Sequence, residues 1–497
     1  MDSFEINKII AAVLLTALII IGIGKFTDIL FHVEKPKKHC NPITCRTAMN
    51  RRSRVLVVSM VFTAMLAPMS SAQIGQPGLI QEHWYHSYAS LTLDVNEWAD
   101  ENDDIIRLEV AGQTELGRNL WVLQISDWSL ETRPDGHPKE VVYIDGGHHG
   151  NEHLGTELAF LTAKHYIDGW NENNEYAVSV LENTELHILI MLNADGNDHD
   201  TRWNINQVDL NRNYDHYWNT CPTTQPGSSA FSEVETLANS IYMNTVVPDA
   251  DLYVTMHTGV WIMLYPWGKW PNQPPDWEMF HHVRDEVNSN ISDIPIRNAN
   301  QGLYPNCGTS RDYGYGVMGY PTFTFETDDE QFLLGTVEAL SDRLAEELEV
   351  MVYLIENVWY WRARLVINEM IVQDTEINLK ISNLGHATTS NASLVYLTEN
   401  GDLLWESETF SVNATTSVDL ELENFTDITG SMGQWALYYQ KRVIDSSQWV
   451  TEPIGDDQIK SVTTQDSLLP YPSLLLQFIA LAIAALSSNR RSSNQVF

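Results

Sequence analysis

The sequence predicts an α/β domain whose sheet is covered by helices on both faces, followed by a small β-sandwich and a C-terminal transmembrane helix. Apolar runs that alternate with helical segments predict the first domain. Short alternating segments separated by turn residues over 363–460 are typical of a sandwich. A run of about 19 mostly apolar residues, 468–486, is long enough to span a bilayer. A chain of 497 residues has room for all three parts.

The α/β domain is predicted over residues 80–361. The predicted strands are 141–144, 186–191, 252–256 and 322–325, and the predicted helices are 154–166 and 337–361. The last strand runs into Phe323-Thr324-Phe325-Glu326. Alternation along a strand places Phe323 and Phe325 on one face and Glu326 on the other. Glu326 is therefore predicted to point into a cleft while the phenylalanines pack.

A candidate metal site follows the first predicted strand. The segment Gly146-Gly-His-His-Gly-Asn-Glu152 contains a His-x-x-Glu pair, His149 and Glu152, that can reach one ion from a single turn. A catalytic zinc ion binds three protein ligands and keeps one position for water. In a chain with 16 His, about one such pair is expected by chance, so a surface His near a helix-capping Glu is the competing interpretation. Reading from His148 gives Asn151 and no carboxylate, so His148 is predicted to be a loop neighbour.

Four further motifs follow in order along the chain. They are Asn193-Ala-Asp-Gly196 with Arg202, Val208-Asp-Leu-Asn-Arg-Asn213, Thr255-Met-His-Thr258, and Tyr304 with the strand 322–326. With the His-x-x-Glu pair, their order and spacing resemble the zinc carboxypeptidase family that includes pancreatic carboxypeptidases A and B. The resemblance covers about residues 80–361. It implies a mixed sheet with the site at the strand ends, one Zn²⁺ per catalytic domain, and hydrolysis of C-terminal peptide bonds.

The resemblance implies that His149, Glu152 and His257 are the zinc ligands and that Glu326 is the general base. The chemistry of peptide hydrolysis asks for these residue types. Zinc lowers the pKa of water and polarises the carbonyl, and a carboxylate takes the proton and passes it to the leaving amine. The competing interpretation of Glu326 alone is a solvated acid at a strand end.

The resemblance also implies residues that bind the substrate. Arg202 is expected to donate to the developing oxyanion. Asn211 and Arg212 are expected to bind the C-terminal carboxylate, for which a planar guanidinium is suited, and Tyr304 is expected to cover it. Asp209 is expected to orient a ligand histidine through its second ring nitrogen. In isolation, the segment around Asn211 would be an Asn-rich turn.

Arg311 bears on specificity. It precedes Asp312, at the position where the family carries the residue on the floor of the side-chain pocket. A cation at this position favours C-terminal Glu or Asp by charge complementarity. The competing interpretation is that Arg311 pairs with Asp312 and does not face the substrate.

The composition fits an exported or a salt-adapted protein. The formal net charge is −37, with 66 acidic and 29 basic residues, which excludes a nucleic-acid binder and fits a heavily hydrated surface. Cys221 and Cys307 flank the candidate site. In an exported protein they could form a disulfide, although the sequence alone does not establish that they are close.

Both ends of the chain carry apolar segments. Residues 49–72 have the basic start, apolar core and small-residue exit of a secretory signal peptide. Met49 is therefore the expected start, and 1–48 is expected to be an upstream leader with an apolar segment; a genuine N-terminal anchor is the alternative. The basic tail 487–497 is expected to stay cytoplasmic, so that the span 468–486 holds the catalytic domain at the outer face of the membrane, unless the span is removed as in a sorting signal.

These patterns favour an exported, membrane-anchored zinc metallocarboxypeptidase that acts on the C-termini of peptides and proteins. One alternative is an enzyme of the same family that hydrolyses cell-wall peptides or N-acyl amino acids. Another is a non-catalytic surface-binding protein, which the intact ligand set and Glu326 oppose. The sandwich is expected to be a spacer or a binding module.

Overall fold

The computed structural model describes residues 85–222, 225–327, 337–372, 376–423, 433–441 and 449–454. The predicted leader, signal peptide, membrane span and basic tail lie outside these residues. Within them, no helix combines the length and the apolar character needed to cross a membrane.

In the first domain, helices alternate with the strands of one sheet. The strands are β1 (Ile106–Gln113), β2 (Asn119–Ile125), β3 (Glu140–Gly146), β4 (Thr184–Leu189), β5 (Leu252–Thr258), β6 (Ile262–Tyr265), β7 (Ile296–Asn298) and β8 (Thr322–Thr327). The helices are α1 (Tyr88–Glu101), α2 (His153–Asn171), α3 (Glu175–Asn183), α4 (Ala194–Asp198), α5 (Val234–Thr245), α6 (Trp277–Asn290), α7 (Ala299–Gly302), α8 (Ser310–Gly316) and α9 (Val337–Glu356).

The eight strands form a mixed sheet in the order β1-β2-β4-β3-β5-β8-β6-β7. The central strands β4, β3, β5 and β8 are parallel, whereas β1, β2 and β4 pair antiparallel and β6 runs antiparallel to β8. The mixed α/β fold implied by the resemblance is therefore confirmed. Because β3, β5 and β8 are adjacent and parallel, the segments that leave their carboxyl ends meet at one edge of the sheet.

Alternate residues of the central strands pack into two separate apolar cores, one on each face of the sheet. Val142 and Ile144 of β3 pack with α1, α2, α3, α6 and α9, whereas Tyr143 packs with α5 on the opposite face. Val254 and Tyr253 of β5 divide in the same way. Both faces of these strands are therefore buried, which is the reason that they appear in the sequence as nearly continuous apolar runs.

The strand predictions at 141–144, 252–256 and 322–325 fall inside β3, β5 and β8, whereas β4 ends at Leu189, two residues before its predicted end. The helix prediction for 337–361 was too long. Helix α9 ends at Glu356, and a 3₁₀ turn, Val358–Tyr360, follows it. The Trp361 side chain folds back and donates its indole N–H to the Leu354 carbonyl (2.8 Å), which closes the helix end.

The second domain consists of two antiparallel sheets. Its strands are β9 (Leu365–Val372), β10 (Glu376–Asn383), β11 (Thr389–Thr398), β12 (Leu403–Glu406), β13 (Phe410–Val412), β14 (Ser417–Glu423), β15 (Gly433–Gln440) and β16 (Trp449–Pro453). One sheet has the order β14-β10-β9, and the other has the order β12-β11-β15-β16 with β13 paired to β11. Ile367 and Leu379 from the first sheet share one apolar cluster with Leu394 and Leu437 from the second, as in a sandwich.

Buried charges join the two domains. Arg364 pairs with Glu140 at the start of β3. Asp251, directly before β5, lies 3.1 Å from Arg362 Nε and accepts from Lys441 Nζ (3.3 Å). Burial raises the pKa of Glu140 to about 7 against the opposing charge of Arg364. The sandwich therefore supplies the cations for two carboxylates that stand at the starts of the central strands.

Candidate metal centre and active site

Two adjacent parallel strands bring the three proposed metal ligands together. His149 lies in the loop that leaves β3, Glu152 directly precedes α2, and His257 is the second-to-last residue of β5. Helix α2 can approach β5 this closely because residue 155 is glycine, where a Cβ atom would lie 2.9 Å from the His257 backbone nitrogen. The local sequence therefore fixes both the direction and the proximity of the ligands.

The ligand atoms converge on a common point. His149 Nδ1 lies 2.8 Å from Glu152 Oε1, His257 Nδ1 lies 3.0 Å from Glu152 Oε2, and the two Nδ1 atoms are 3.2 Å apart. Tetrahedral zinc with bonds of about 2.1 Å places its ligand atoms about 3.4 Å from one another. All three residues are buried and their ligand atoms lie within 4.8 Å of one another, so this set fits a single zinc ion.

Asp209 and Arg202 support this cluster. His149 Nε2 lies 3.0 Å from Asp209 Oδ1, the contact that orients an imidazole whose other nitrogen is a ligand. Arg202 donates to Asp209 Oδ2 from Nε (3.2 Å) and Nη2 (3.0 Å), and to Glu152 Oε1 from Nη1 (2.9 Å). Asp209 therefore holds a ligand and an arginine at the same time.

The charges keep the ligand carboxylate ionised. Burial would raise the pKa of Glu152, but the charges and hydrogen bonds of His149 and His257 outweigh it and lower that pKa. The Thr258 backbone N–H also donates to Glu152 Oε2 (3.1 Å). A carboxylate must be deprotonated to bind a metal, so the protein prepares this group for the ion.

Glu326 stands beside the ligand cluster. It lies near the end of β8, where it pairs in register with His257 of β5. Its neighbours Phe323 and Phe325 are fully buried in the core, as the alternation predicted. Burial and the charge of Glu152 raise the pKa of Glu326 to about 7, against the opposing charge of His257. A carboxyl group with a pKa near neutrality can both accept and release a proton.

Arg212, Asn211 and Tyr304 lie together at the same end of the sheet. Arg212 Nη2 donates to the Tyr304 hydroxyl (3.1 Å), and Tyr304 is 52% exposed. Asn211 Nδ2 is 3.1 Å from His257 Nε2, and Asn211 Oδ1 accepts from the Ser310 backbone N–H (3.0 Å). Asn211 is therefore in contact with a metal ligand, and the tyrosine that pairs with the buried Arg212 is reachable from solvent.

Arg311 is a buried residue of the first turn of α8. Its Nε donates to Asp312 Oδ1 (3.0 Å), so Arg311 does pair with Asp312, as the competing interpretation expected. Nη2 donates to Asn306 Oδ1 (2.8 Å), while Nη1 is 3.5 Å from the Thr324 hydroxyl on the strand that carries Glu326. The Arg311 charge also opposes the rise in the pKa of Glu326, which places the guanidinium close to that carboxylate.

Several residues that line the site were not predicted from the sequence. Asn306 binds Arg311, and Gly268 packs against the same guanidinium, since a Cβ atom there would lie 2.4 Å from Arg311 Nη2. His148 lies in a loop as predicted, but it is buried, and its Nε2 is 2.8 Å from the Tyr214 hydroxyl. These contacts join distant segments, so no local pattern signals them.

Cys221 and Cys307 form a disulfide, with Cα atoms 5.6 Å apart. The sequence left this pairing open. The bond lies between the loop that follows Arg212 and the segment that carries Tyr304 and Asn306.

Comparisons with known proteins agree with this geometry. The family described as zinc carboxypeptidase, Peptidase_M14, matches residues 94–347, just over half of the chain. Carboxypeptidase O of Bos taurus is 24% identical over 309 residues, which cover 56% of this chain and 80% of that protein. Carboxypeptidase B of Rattus norvegicus is 23% identical over 274 residues, 50% of this chain and 64% of that protein.

Among solved structures, thrombin-activatable fibrinolysis inhibitor has a TM-score of 0.51 and 19% identity, covering 62% of this chain and 86% of that one. At this identity the likeness supports the fold alone. The family match includes the segments that hold His149, Glu152, His257 and Glu326. Its members are peptide hydrolases that use Zn²⁺, and the three buried ligands described above fit that ion. The chain therefore belongs to the zinc carboxypeptidase family.

Proposed function

We propose that this protein removes C-terminal residues from peptides and proteins, with Glu326 as the general base. The observation that carries the proposal is the joint placement of the His149–Glu152–His257 cluster and Glu326 at the ends of adjacent strands, with Asn211, the neighbour of Arg212, 3.1 Å from His257. When bound, zinc would activate water and polarise the scissile carbonyl. Glu326 would accept a proton from that water and deliver it to the leaving amine.

Arg202 is proposed to stabilise the oxyanion. Its Nε and Nη2 are held by Asp209 and its Nη1 by Glu152, so the planar group would present a remaining N–H of Nη1 or Nη2 to a substrate oxygen. The guanidinium side chain is about one-third exposed, so a substrate can reach it. A donor held by a second carboxylate needs little reorganisation when the charge develops.

Arg212, Asn211 and Tyr304 are proposed to bind the C-terminal carboxylate of the substrate. Arg212 presents Nη2 to the Tyr304 hydroxyl, and a carboxylate can replace or bridge that contact. The exposed tyrosine would then cover the bound group. Such a site distinguishes a free C-terminus from an internal peptide bond.

Arg311 is proposed to favour acidic C-terminal residues. Its Nη1 lies 3.5 Å from the Thr324 hydroxyl, whereas Nε and Nη2 are held more closely by Asp312 and Asn306, so Nη1 is the nitrogen proposed to meet an acidic side chain. For Arg311→Gln we expect the ratio of kcat/KM for C-terminal Glu over Phe to fall by about 10–150-fold, since one charged contact is worth about 1.5–3 kcal/mol. The exposed Arg297→Gln is the matched control. An unchanged ratio would remove Arg311 from the pocket.

We further propose that the protein is exported and held at the outer face of the membrane by the 468–486 segment. The signal-peptide pattern at 49–72 supports export, and the Cys221–Cys307 disulfide suits an oxidising compartment. Protease treatment of intact cells tests this: the catalytic domain is expected to be cleaved from outside without lysis.

The decisive experiment measures zinc content and the hydrolysis of blocked dipeptides that end in Glu, Phe or Lys. For Glu326→Gln we expect kcat to fall by about 10²–10⁴-fold with zinc retained, because the proton acceptor is lost while the ligands remain. Glu408→Gln, an exposed substitution in the sandwich, is the control. A zinc-loaded wild type that cleaves none of these peptides would refute the proposed activity.

A further inference from the structure

The Arg212–Tyr304 pair comes from two distant parts of the chain. Arg212 closes the 3₁₀ turn Leu210–Arg212, and Tyr304 lies 92 residues later, in a stretch without helix or strand. One side-chain hydrogen bond of 3.1 Å joins them. Because Tyr304 is 52% exposed, burial does not fix its side chain. The position of the pair therefore depends on how the two segments are held to one another.

The backbones of the two segments meet at Gly308. The Tyr214 N–H donates to the Gly308 carbonyl (3.0 Å), and the Gly308 N–H donates to the His216 carbonyl (3.1 Å). Gly308 has a φ of +68°, and a Cβ atom there would lie 2.6 Å from the Arg212 carbonyl oxygen. Only glycine allows this approach without strain or a shift of the Arg212 backbone.

Beside Gly308, the Cys221–Cys307 disulfide links the same two segments covalently across a sequence separation of 86 residues. Cys307 is 2% exposed, and the Thr220 hydroxyl lies 3.6 Å from its sulfur. We propose that this disulfide is a positioning element that holds Arg212 and Tyr304 in register for the substrate's C-terminal carboxylate. The inference rests on the proposed role of that pair.

Without the disulfide, the hydrogen bonds described above would remain between the segments, and water competes with each of them. The segment that carries Tyr304 would then sample positions in which Tyr304 and Arg212 no longer face one carboxylate. The zinc ligands lie in the loop after β3, directly before α2 and in β5, away from both cysteines in the sequence. Loss of the disulfide is therefore expected to weaken substrate binding and to leave the metal and the chemical step in place.

The test compares the full-length wild type with Cys221→Ser/Cys307→Ser. We expect KM for a blocked dipeptide with a free C-terminus to rise by about tenfold, with kcat and zinc content within about twofold, which is the pattern of lost uniform binding. In a Tyr304→Phe background, the same disulfide removal is expected to raise KM by much less, because the contact through which it acts is already gone. If the serine variant does not fold, native wild type with its disulfide reduced and alkylated replaces it.

An unchanged KM would overturn the inference. A fall in zinc content and in kcat together with the rise in KM would also overturn it, since the disulfide would then only stabilise the fold. An equal KM effect with and without the Tyr304 hydroxyl would show that the disulfide acts elsewhere. If the zinc-loaded wild type cleaves no free C-terminus, the proposed function fails first; if it cleaves normally and the variant matches it, only the positioning role fails.

Discussion

At the scale of single residues, Asp209 has an unusual number of partners. One carboxylate oxygen faces the His149 ring, and the other holds two nitrogens of Arg202. Burial would raise its pKa, but His149, Arg212 and Arg202 outweigh burial and lower that pKa well below its usual value. Asp209 therefore stays ionised and couples the metal site to the oxyanion donor.

For Asp209→Asn we expect zinc affinity to fall by about 10–100-fold, because the imidazole loses the charged partner that orients it. Arg202 would also lose its fixed geometry, so kcat is expected to fall even when zinc is saturating. Competition with a chelator measures the first effect, and kinetics with excess zinc measure the second. Asp215→Asn, an exposed substitution nearby, should change neither. Wild-type zinc affinity in Asp209→Asn would contradict this account.

Between elements, a buried histidine joins α1 to α2. The His86 ring, directly before α1, lies 3.0 Å from Asp94 of α1 and 2.8 Å from Glu157 of α2. Burial would lower the pKa of His86, but the two carboxylates outweigh it and raise that pKa to about 9. The protonated His86 ring therefore links α1 to α2 through its contacts with the two carboxylates.

This contact predicts a pH-dependent stability. Because the folded-state pKa of His86 is about 9 and the ordinary pKa of histidine is 6.5, its contribution is fully present below pH 6.5 and is lost as the pH rises to 9. We expect His86→Gln to lower the free energy of unfolding by about 3 kcal/mol at pH 6 and by much less at pH 9.5. Urea unfolding across this range measures the difference, with the exposed His199→Gln as control. A difference that does not change with pH would refute the charged contact.

The central elements and the His149–Glu152 pair were predictable because their signals are local, whereas His257 followed from the resemblance. Strands β3, β5 and β8 are buried on both faces, and His149 and Glu152 share one turn. Strand β1, partly exposed along its length, and β7, only three residues long, carry weak patterns and were not predicted. The contacts of Arg311 with Asn306 and Gly268 depend on how distant loops meet, which no periodicity encodes.

At the scale of the whole molecule, the sandwich contacts the catalytic sheet at the starts of its central strands. Glu140 and Asp251 stand at the starts of β3 and β5, the two strands whose opposite ends lead to His149 and His257. Asp251 also binds the Val141 backbone N–H (3.0 Å), which locks the starts of the two strands together. His137 Nδ1 also lies 2.9 Å from Glu452 Oε2, a further contact between the domains beside this cluster. Such contacts do not fit a loosely tethered spacer.

We expect the cluster to make the two domains one folding unit, with Arg364 at its centre, since Arg364 is 3% exposed and pairs with both Glu140 and Asp251. For Arg364→Met we expect a loss of about 3–5 kcal/mol in the free energy of unfolding, because two buried carboxylates lose a shared cation. Urea unfolding measures this, with the exposed Arg297→Met as control. Zinc binding by the protein that remains folded should be normal, since the ligands lie at the far strand ends. A loss below about 1 kcal/mol, the range of surface ion pairs, would mean that the domains are stable independently.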